Sequence, residues 1–406
     1  MKKYFFVLGS NPELSLAELS TLFPENKWQR IASVVFSDFS EELNCTDLMN
    51  SLGGTIKIGE YLTDFSLANR HALSEFTKKE IIKNARENNL NGKFNFGFSF
   101  YGSRKLPGDF FKLALAVKKD LKNFDISSRI VTSREQILSS VVVEQNGLVD
   151  GGLELCFFVD KNKVFIGRTL TVQPFKDLSK RDFGRPNRDD HSGMIPPKLA
   201  QIMVNLARGG DADFKEKKIL DPFCGSGTIL MEAYLMDFKN IIGSDLSDKA
   251  INDSISNIDW IIDFNEKKSI ESCSKNIDIF QSDVLDLDKS LDKNSIDYIV
   301  CEPYLGPQRG FKDFNEVVKE LNDLYSGALN VFYKILKTGG RIVMIWPQFR
   351  ANNKTWKLEP NVSNFKMIPA LIFNESNNEE KSQRKNLVYG REDQKVWREI
   401  VVLEKK

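Results

Sequence analysis

Residues 219–232 read Ile-Leu-Asp-Pro-Phe-Cys-Gly-Ser-Gly-Thr-Ile-Leu-Met-Glu, and the order of these residues decides the fold. A short run, Lys218-Ile219-Leu220, ends in Asp221. A loop carrying Cys224, Gly225 and Gly227 follows, and an apolar periodic segment begins at Thr228. That order predicts strand, tight loop, helix. Glycines at such a turn let the backbone approach a nucleotide-like ligand closely, where side chains would stand in the way.

Working outward from this unit, the chain from Lys198 onward alternates strand and helix patterns. Candidate strands are 218–221, 240–244, 277–280, 296–301, 341–346, 368–373 and 397–403. Such alternation predicts an α/β, Rossmann-like domain with a mainly parallel seven-stranded sheet, its last two strands forming an antiparallel hairpin at the edge. Upstream, residues 173–197 are polar and carry Pro and Gly, and they read as a linker. Residues 1–172 show a different rhythm. Strands are expected at 4–8, 28–36, 55–61, 94–101, 141–143, 153–159 and 163–171, with helices at 13–23, 47–52, 71–88 and 107–124. This is the pattern of an α+β region made of two similar small units. The expected domains are therefore 1–172, the linker 173–197, and 198–406.

Length agrees with more than one domain, since 406 residues exceed the roughly 150 residues of a typical one. Formal charge is +1, so any polyanion must be met by a local patch. Five cysteines, Cys45, Cys156, Cys224, Cys273 and Cys301, form no CxxC pair, and only His71 and His191 are present. This supply argues against a disulfide framework, a zinc site or histidine-based catalysis, so no metal is expected. The apolar run Tyr4–Leu8 is too short for a signal-peptide core, and no run of about 18 apolar residues occurs. A cytoplasmic protein without a membrane span is expected.

Three carboxylates fall at predicted strand ends: Asp221, Asp245 and Asp283. In doubly wound sheets ligands sit at the carboxyl ends of strands, near the point where strand order reverses. A carboxylate about 20 residues after the glycine loop suits a ribose diol, which assigns Asp245. Asp283 is placed to accept from an adenine amino group. Each of these residues is also a common turn or helix-cap type. The loop is neither Gly-x-Gly-x-x-Gly nor a Walker motif. Asp221 would repel a pyrophosphate but suits a positively charged amino-acid moiety, which points to S-adenosylmethionine. Asp221, Cys224, Gly225, Gly227, Thr228, Asp245, Leu246, Asp283 and Val284 form the expected cofactor set. Cys224 and Cys301 read as small packing residues.

The fourth strand of this domain runs Ile296-Asp297-Tyr298-Ile299-Val300-Cys301 into Glu302-Pro303-Tyr304. Asp-Pro-Phe-Cys-Gly-Ser-Gly-Thr followed later by Glu-Pro-Tyr resembles the amino-methyltransferases whose fourth motif is Asp/Asn-Pro-Pro-Tyr. Arg185-Pro186-Asn187-Arg188-Asp189 and Gly193-Met194-Ile195-Pro196-Pro197-Lys198-Leu199-Ala200 narrow the resemblance to tRNA guanine-N2-methyltransferases of the guanosine-10 type, which carry an N-terminal THUMP region. The resemblance implies a class I methyltransferase domain, a tRNA substrate and methyl transfer to an exocyclic guanine amine. It implies catalytic roles for Glu302, Pro303 and Tyr304: an acceptor side chain and a backbone carbonyl for the amine, and a ring to stack on the base. This chain departs from the motif by offering Glu and a single proline. Either Glu302 is the acceptor, or it fills the slot of the first proline and the acceptor lies elsewhere.

Residues 78–134 carry thirteen Lys and Arg against five Asp and Glu, a local excess of +8. With Tyr101-Gly102-Ser103-Arg104-Lys105 they suggest an RNA-binding module, while the alternating Phe94, Phe96, Phe98 and Phe100 read as core. Arg104, Lys105, Arg185 and Arg188 are the expected RNA contacts, with Arg309 and Gly310 as further phosphate candidates and His191 as a loop residue. Other readings are an amino-methyltransferase acting on DNA adenine, ribosomal RNA or a glutamine amide, and an RNA-binding protein with a vestigial site.

Overall fold

The computed structural model describes residues 1–88, 92–102, 109–188, 194–266, 275–307, 313–351, 354–369, 387–390 and 394–406. The chain divides into two compact units. One comprises Met1–Pro12, Glu25–Asn50 and Thr55–Phe175; the other comprises Glu13–Pro24, Ser51–Gly54 and Lys176–Lys406.

The first unit is built on β1 (Lys2–Leu8), β2 (Gln29–Ile31), β3 (Val34–Phe39), β4 (Thr55–Ser66), β5 (Phe94–Gly102), β6 (Ser128–Val131), β7 (Leu153–Asp160) and β8 (Lys163–Val172). They form one eight-stranded sheet in the order β2-β3-β1-β4-β8-β7-β5-β6. The two small units expected from sequence are thus fused, because β4 pairs antiparallel with β8 over most of its length. Helices along the chain are α1 (Pro12–Leu22), α2 (Cys45–Ser51), α3 (Arg70–Glu87), α4 (Asp109–Asn123) and α5 (Ser140–Gln145). The phenylalanine alternation does mark a core strand. Phe94 and Phe96 are buried with Leu155, Phe157 and Ile166 beneath α3 and α4, while Tyr101 packs in a separate cluster with Phe5, Phe36 and Phe158. The strand expected at Val141–Val143 is instead the helix α5. Ser139 caps it by accepting from the Val142 amide, and this local cap overrides the β-branched composition.

The second unit contains α6 (Phe175–Phe183, its first residue in the other unit), α7 (Pro197–Arg208), β9 (Lys218–Asp221), α8 (Thr228–Leu235), β10 (Asn240–Asp245), α9 (Asp248–Glu266), β11 (Asn276–Gln281), α10 (Leu287–Ser290), β12 (Ile296–Cys301), α11 (Phe314–Ile335), β13 (Leu336–Ala351), β14 (Lys354–Lys357), β15 (Phe365–Ile368), β16 (Leu387–Tyr389) and β17 (Val396–Lys405). Its main path runs β11-β10-β9-β12-β13-β17-β15, with β14 beside β13 and β16 beside β17. Neighbours from β11 through β13 are parallel, whereas β17 is antiparallel to β13 and to β15. The seven expected strands all fall on this path, but the sheet is mixed, and β14 and β16 bring it to nine strands. The sixth strand lies at Phe365–Ile368, and residues 370–373 fall outside the described set. α1 belongs to this unit, its Leu14 and Ala17 sharing a core with α7, α8 and α9.

Alternate residues of the central strands serve opposite faces, as a sheet covered on both sides requires. Ile219, Val300, Val343 and Ile345 join α7 and α8 on one face. Leu220, Ile299, Cys301, Ile342 and Met344 join Tyr325, Leu329 and Phe332 of α11 on the other. Strand order reverses between β9 and β12, which opens a crevice at their carboxyl ends.

Candidate active site

The glycine loop leaves β9 at Asp221 and enters α8 at Thr228. Gly225 and Gly227 take positive φ values of 52° and 81°, a region that costs other L-residues energy. An added Cβ at Gly225 would meet nothing within 4 Å, so the loop presents bare backbone to open space; below it, a Cβ on Gly243 would come within 2.5 Å of Leu230. The loop is pinned from several sides. The Cys224 amide donates to the Ser244 carbonyl, and the Gly227 amide to the Cys224 carbonyl. Ser254 Oγ donates to the Gly225 carbonyl at 2.8 Å, and Asn257 Nδ2 to the Ser226 carbonyl at 2.8 Å. Asn257 also exchanges hydrogen bonds with the Asn187 backbone, tying the preceding segment to the loop.

The three strand-end carboxylates lie side by side. Gly243 of β10 pairs with Asp221, and Asp245 pairs with Gln281 at the end of β11. Each also makes a local turn bond: Asp221 accepts from the Phe223 amide, Asp245 from Ser247 and Asp283 from Leu285. The turn role and a ligand role are compatible, since a carboxylate has several acceptor sites. Asp245 uses its other oxygen to accept from the Gly225 amide at 3.0 Å. Asp221 is 1% exposed, and burial drives its carboxyl well above the usual range, with Asp245 and Glu302 adding like-charge repulsion. A cation in the crevice would relieve both. Leu246, Leu285 and Tyr304 are large apolar side chains left exposed at the ends of β10, β11 and β12, while Val284 is buried in the core. Burial pushes the Cys224 and Cys301 thiols up, which keeps them in the inert thiol form and fits their packing role.

Glu302 follows β12 directly, half-buried, with Pro303 buried and Tyr304 58% exposed. The buried Tyr325 hydroxyl donates to the Tyr304 carbonyl at 3.0 Å and fixes the turn. Gly306 has φ 95°, and a Cβ there would press within 3.2 Å of Phe349 and Val317, so glycine is required. Glu302 is paired with Arg398 of β17, Nε to Oε1 at 2.5 Å.

The stretch expected as a linker includes α6. Its Arg181 makes a buried ion pair with Glu232 at 2.7 Å, docking α6 on α8. Arg185 is buried at 4% exposure and its Nη1 donates to Thr228 Oγ1 at 2.6 Å, bracing the start of α8. Arg188 stacks its guanidinium 5.1 Å from the Phe183 ring centroid. Arg104, Lys105, His191, Arg309 and Gly310 lie outside the described residues. Sequence reading missed Arg181, Asn257, Tyr325 and Arg398, whose partners are far away along the chain. Among the described residues there is no cluster of His, Cys, Asp and Glu suited to a metal ion, and no helix is long and apolar enough to cross a membrane.

Residues 185–369 match the family model described as UPF0020, RMKL-like, methyltransferase domain. The chain is 29% identical over 233 residues to the tRNA (guanine(10)-N2)-dimethyltransferase of Methanothermobacter thermautotrophicus, covering 55% of this chain and 60% of that one. It is 33% identical over 128 residues to the probable tRNA (guanine(10)-N2)-dimethyltransferase of Methanothermococcus thermolithotrophicus, covering 31% of this chain and 72% of that one. The match to the Methanocaldococcus jannaschii protein of the same name spans 48% of its length. Among solved structures, TrmN from Thermus thermophilus aligns over 100% of both chains at 18% identity and a TM-score of 0.49. Since the matched residues contain the glycine loop, the strand-end carboxylates and the Glu302 turn, and identity reaches 33% across most of one relative, the chain belongs to the RMKL-like (UPF0020) methyltransferase family together with these relatives.

Proposed function

We propose that the protein transfers a methyl group from S-adenosylmethionine to the exocyclic N2 amine of a tRNA guanosine, of the guanosine-10 type. The observation that carries this reading is the meeting of two carboxylates of different duty at the reversal point of the sheet. Asp221, buried and repelled by its neighbours, favours a cationic ligand. Glu302, one strand over, stands beside an exposed aromatic ring suited to a flat base.

The residues present fit the cofactor. The bare backbone at Gly225 would admit its amino-acid end, while Gly227 packs the turn against Ser254, with Asp221 opposite the positive charge. Asp245 would take the ribose hydroxyls, with Leu246, Asp283 and Val284 around the base. When bound, the cofactor supplies an electrophilic methyl on a sulfonium leaving group. The protein's part is orientation. A guanine amine is a poor nucleophile because its lone pair is delocalised into the ring. Glu302 and the Pro303 carbonyl would accept its two N–H groups and turn the lone pair outward, while Tyr304 stacks on the base for about 1–3 kcal/mol. Positioning of this kind accounts for much of the rate without a strong base.

The first unit is the RNA module in this proposal, a THUMP-like region within 1–172. Lys79, Lys83 and Arg86 line one shallow depression on α3, and α4 exposes Phe111 and Leu115. Basic residues on a folded surface suit phosphate contacts, by which structured RNA is largely gripped. An enzyme acting on tRNA would work in the cytoplasm.

Mass spectrometry of bulk tRNA nucleosides, with and without the gene, tests the reading: N2-methylated guanosine should fall in its absence. Unchanged tRNA, with methyl transfer by the purified chain to duplex DNA or ribosomal RNA, would replace the substrate. Calorimetry showing no S-adenosylmethionine binding would leave an RNA-binding protein with a vestigial site. Asp245→Ala should weaken cofactor binding, and Glu302→Ala should lose turnover while cofactor binding persists.

A further inference from the structure

β17 lies two strands from Glu302, with β13 between them, yet it reaches the motif. Arg398 occupies a doubly paired position, opposite Pro347 of β13 and Tyr389 of β16, so its backbone is held on both sides. Its Nε donates to Glu302 Oε1 at 2.5 Å, and its Nη2 stands 3.5 Å from Oε2. The two side chains are only 15% and 11% exposed. A desolvated fork of this kind defines the geometry of a carboxylate more firmly than a solvent-exposed pair.

We infer that Arg398 is a positioning residue that sets Glu302 for the incoming amine. The inference rests on the reading of Glu302 as the amine acceptor. Glutamate has one more methylene than the aspartate of the related motif, which adds a rotatable bond and roughly 1.5 Å of reach. Left alone, such a side chain spreads over several rotamers. Arg398 draws in Oε1 and leaves Oε2, the more distant oxygen, with acceptor capacity for an N–H. Its charge also offsets one of the three carboxylates that crowd the crevice, Asp221, Asp245 and Glu302. The longer acceptor and the arginine thus work as one unit, supplied by strands 96 residues apart in sequence.

The test uses the full chain, S-adenosylmethionine and a tRNA transcript. Arg398→Met should lower kcat by about a hundredfold, the size expected of a roughly 1 Å misplacement, with cofactor Kd unchanged. Arg398→Lys should recover part of that loss, because it restores the charge without the fork. In a Glu302→Gln background, Arg398→Met should cost little more, since the two groups act together. A merely structural arginine predicts otherwise: losses that add across the double variant, with cofactor affinity falling alongside kcat. Additive losses, or an undiminished kcat in Arg398→Met, overturn the inference. If Arg398→Met does not fold, Arg398→Lys carries the same comparison. A wild-type chain that binds the cofactor but transfers no methyl to tRNA overturns the functional reading itself, and Arg398's role with it.

Discussion

Two buried charged sites, one in each unit, are built on opposite plans. In the first unit Lys57 and Glu154 are fully buried and pair at 2.6 Å. Lys57 also donates to the Leu138 carbonyl, and Glu154 accepts from Ser99 and Thr169 hydroxyls. The charges are opposite, and each has further polar partners. In the second unit Asp221 is just as buried, but its hydrogen-bond donor is the Phe223 amide, and among the described residues the charges acting on it, Asp245 and Glu302, are negative. A buried charge compensated from within is part of the framework; one left to like-charged neighbours calls for a ligand to complete it.

The largest effect should come from breaking the compensated site. Lys57→Met strands Glu154 in the interior and should cost about 3–5 kcal/mol of stability, read from denaturant melts. Replacing both partners by Met and Leu should return much of it. A melt unchanged in Lys57→Met would erase the contrast. Next in size, Asp221→Asn should weaken S-adenosylmethionine binding by about 2–5 kcal/mol, the usual effect of truncating one member of a buried charge pair. The ligand-free protein should be no less stable than wild type. Calorimetry and a thermal melt on the same sample decide this, and a destabilised variant with normal affinity would make Asp221 a framework residue.

pH separates the sites further. The folded-state pKa of Asp221 is raised, so the folded chain binds more protons than the unfolded one between the ordinary carboxylate range and that higher value. Stability from this group should therefore fall as pH rises through that window and level off above it. Glu18 of α1, desolvated and pushed up to about 7, acts in the same direction between about 4.5 and about 7. Melts of the ligand-free wild type over pH 5–8 should show the decline, and Asp221→Asn should flatten part of it. The smallest effect is expected at Gly225→Ala. Space is open there, but φ is 52°, so about 1–2 kcal/mol of backbone strain should appear, with a matching loss of cofactor affinity if the loop shifts.

Much of the second unit was legible along the chain. Asp221, Gly225 and Gly227 announce a strand, loop and helix because glycine and a strand-ending acid have local consequences. The buried strands β9 and β12 are short apolar runs bounded by turn signals, which place them, whereas only the apolar middle, 341–346, of the longer β13 is legible in this way. The first unit was less legible. Most of its strands were found, but β6 was missed, 28–36 reads as one strand where β2 and β3 form a hairpin, and Val141–Val143 looked like another, because a Ser139 cap is a weaker mark than three β-branched residues. That β4 and β8 would join two expected sheets into one depends on register between residues far apart.

The glycine loop, the row of acidic strand ends and the Glu302-Pro303-Tyr304 turn are therefore properties of the sequence itself, because local spacing and backbone freedom fix them. Tertiary structure decided what surrounds those groups. It brought α1 into the second unit, where Glu18 accepts from the Gly53 and Gly54 amides, and it set Arg398 on Glu302 while leaving Asp221 among like charges. The reason is physical: hydrogen-bond propensity and chain conformation act over a few residues, whereas burial and charge compensation depend on which distant strands the fold makes neighbours.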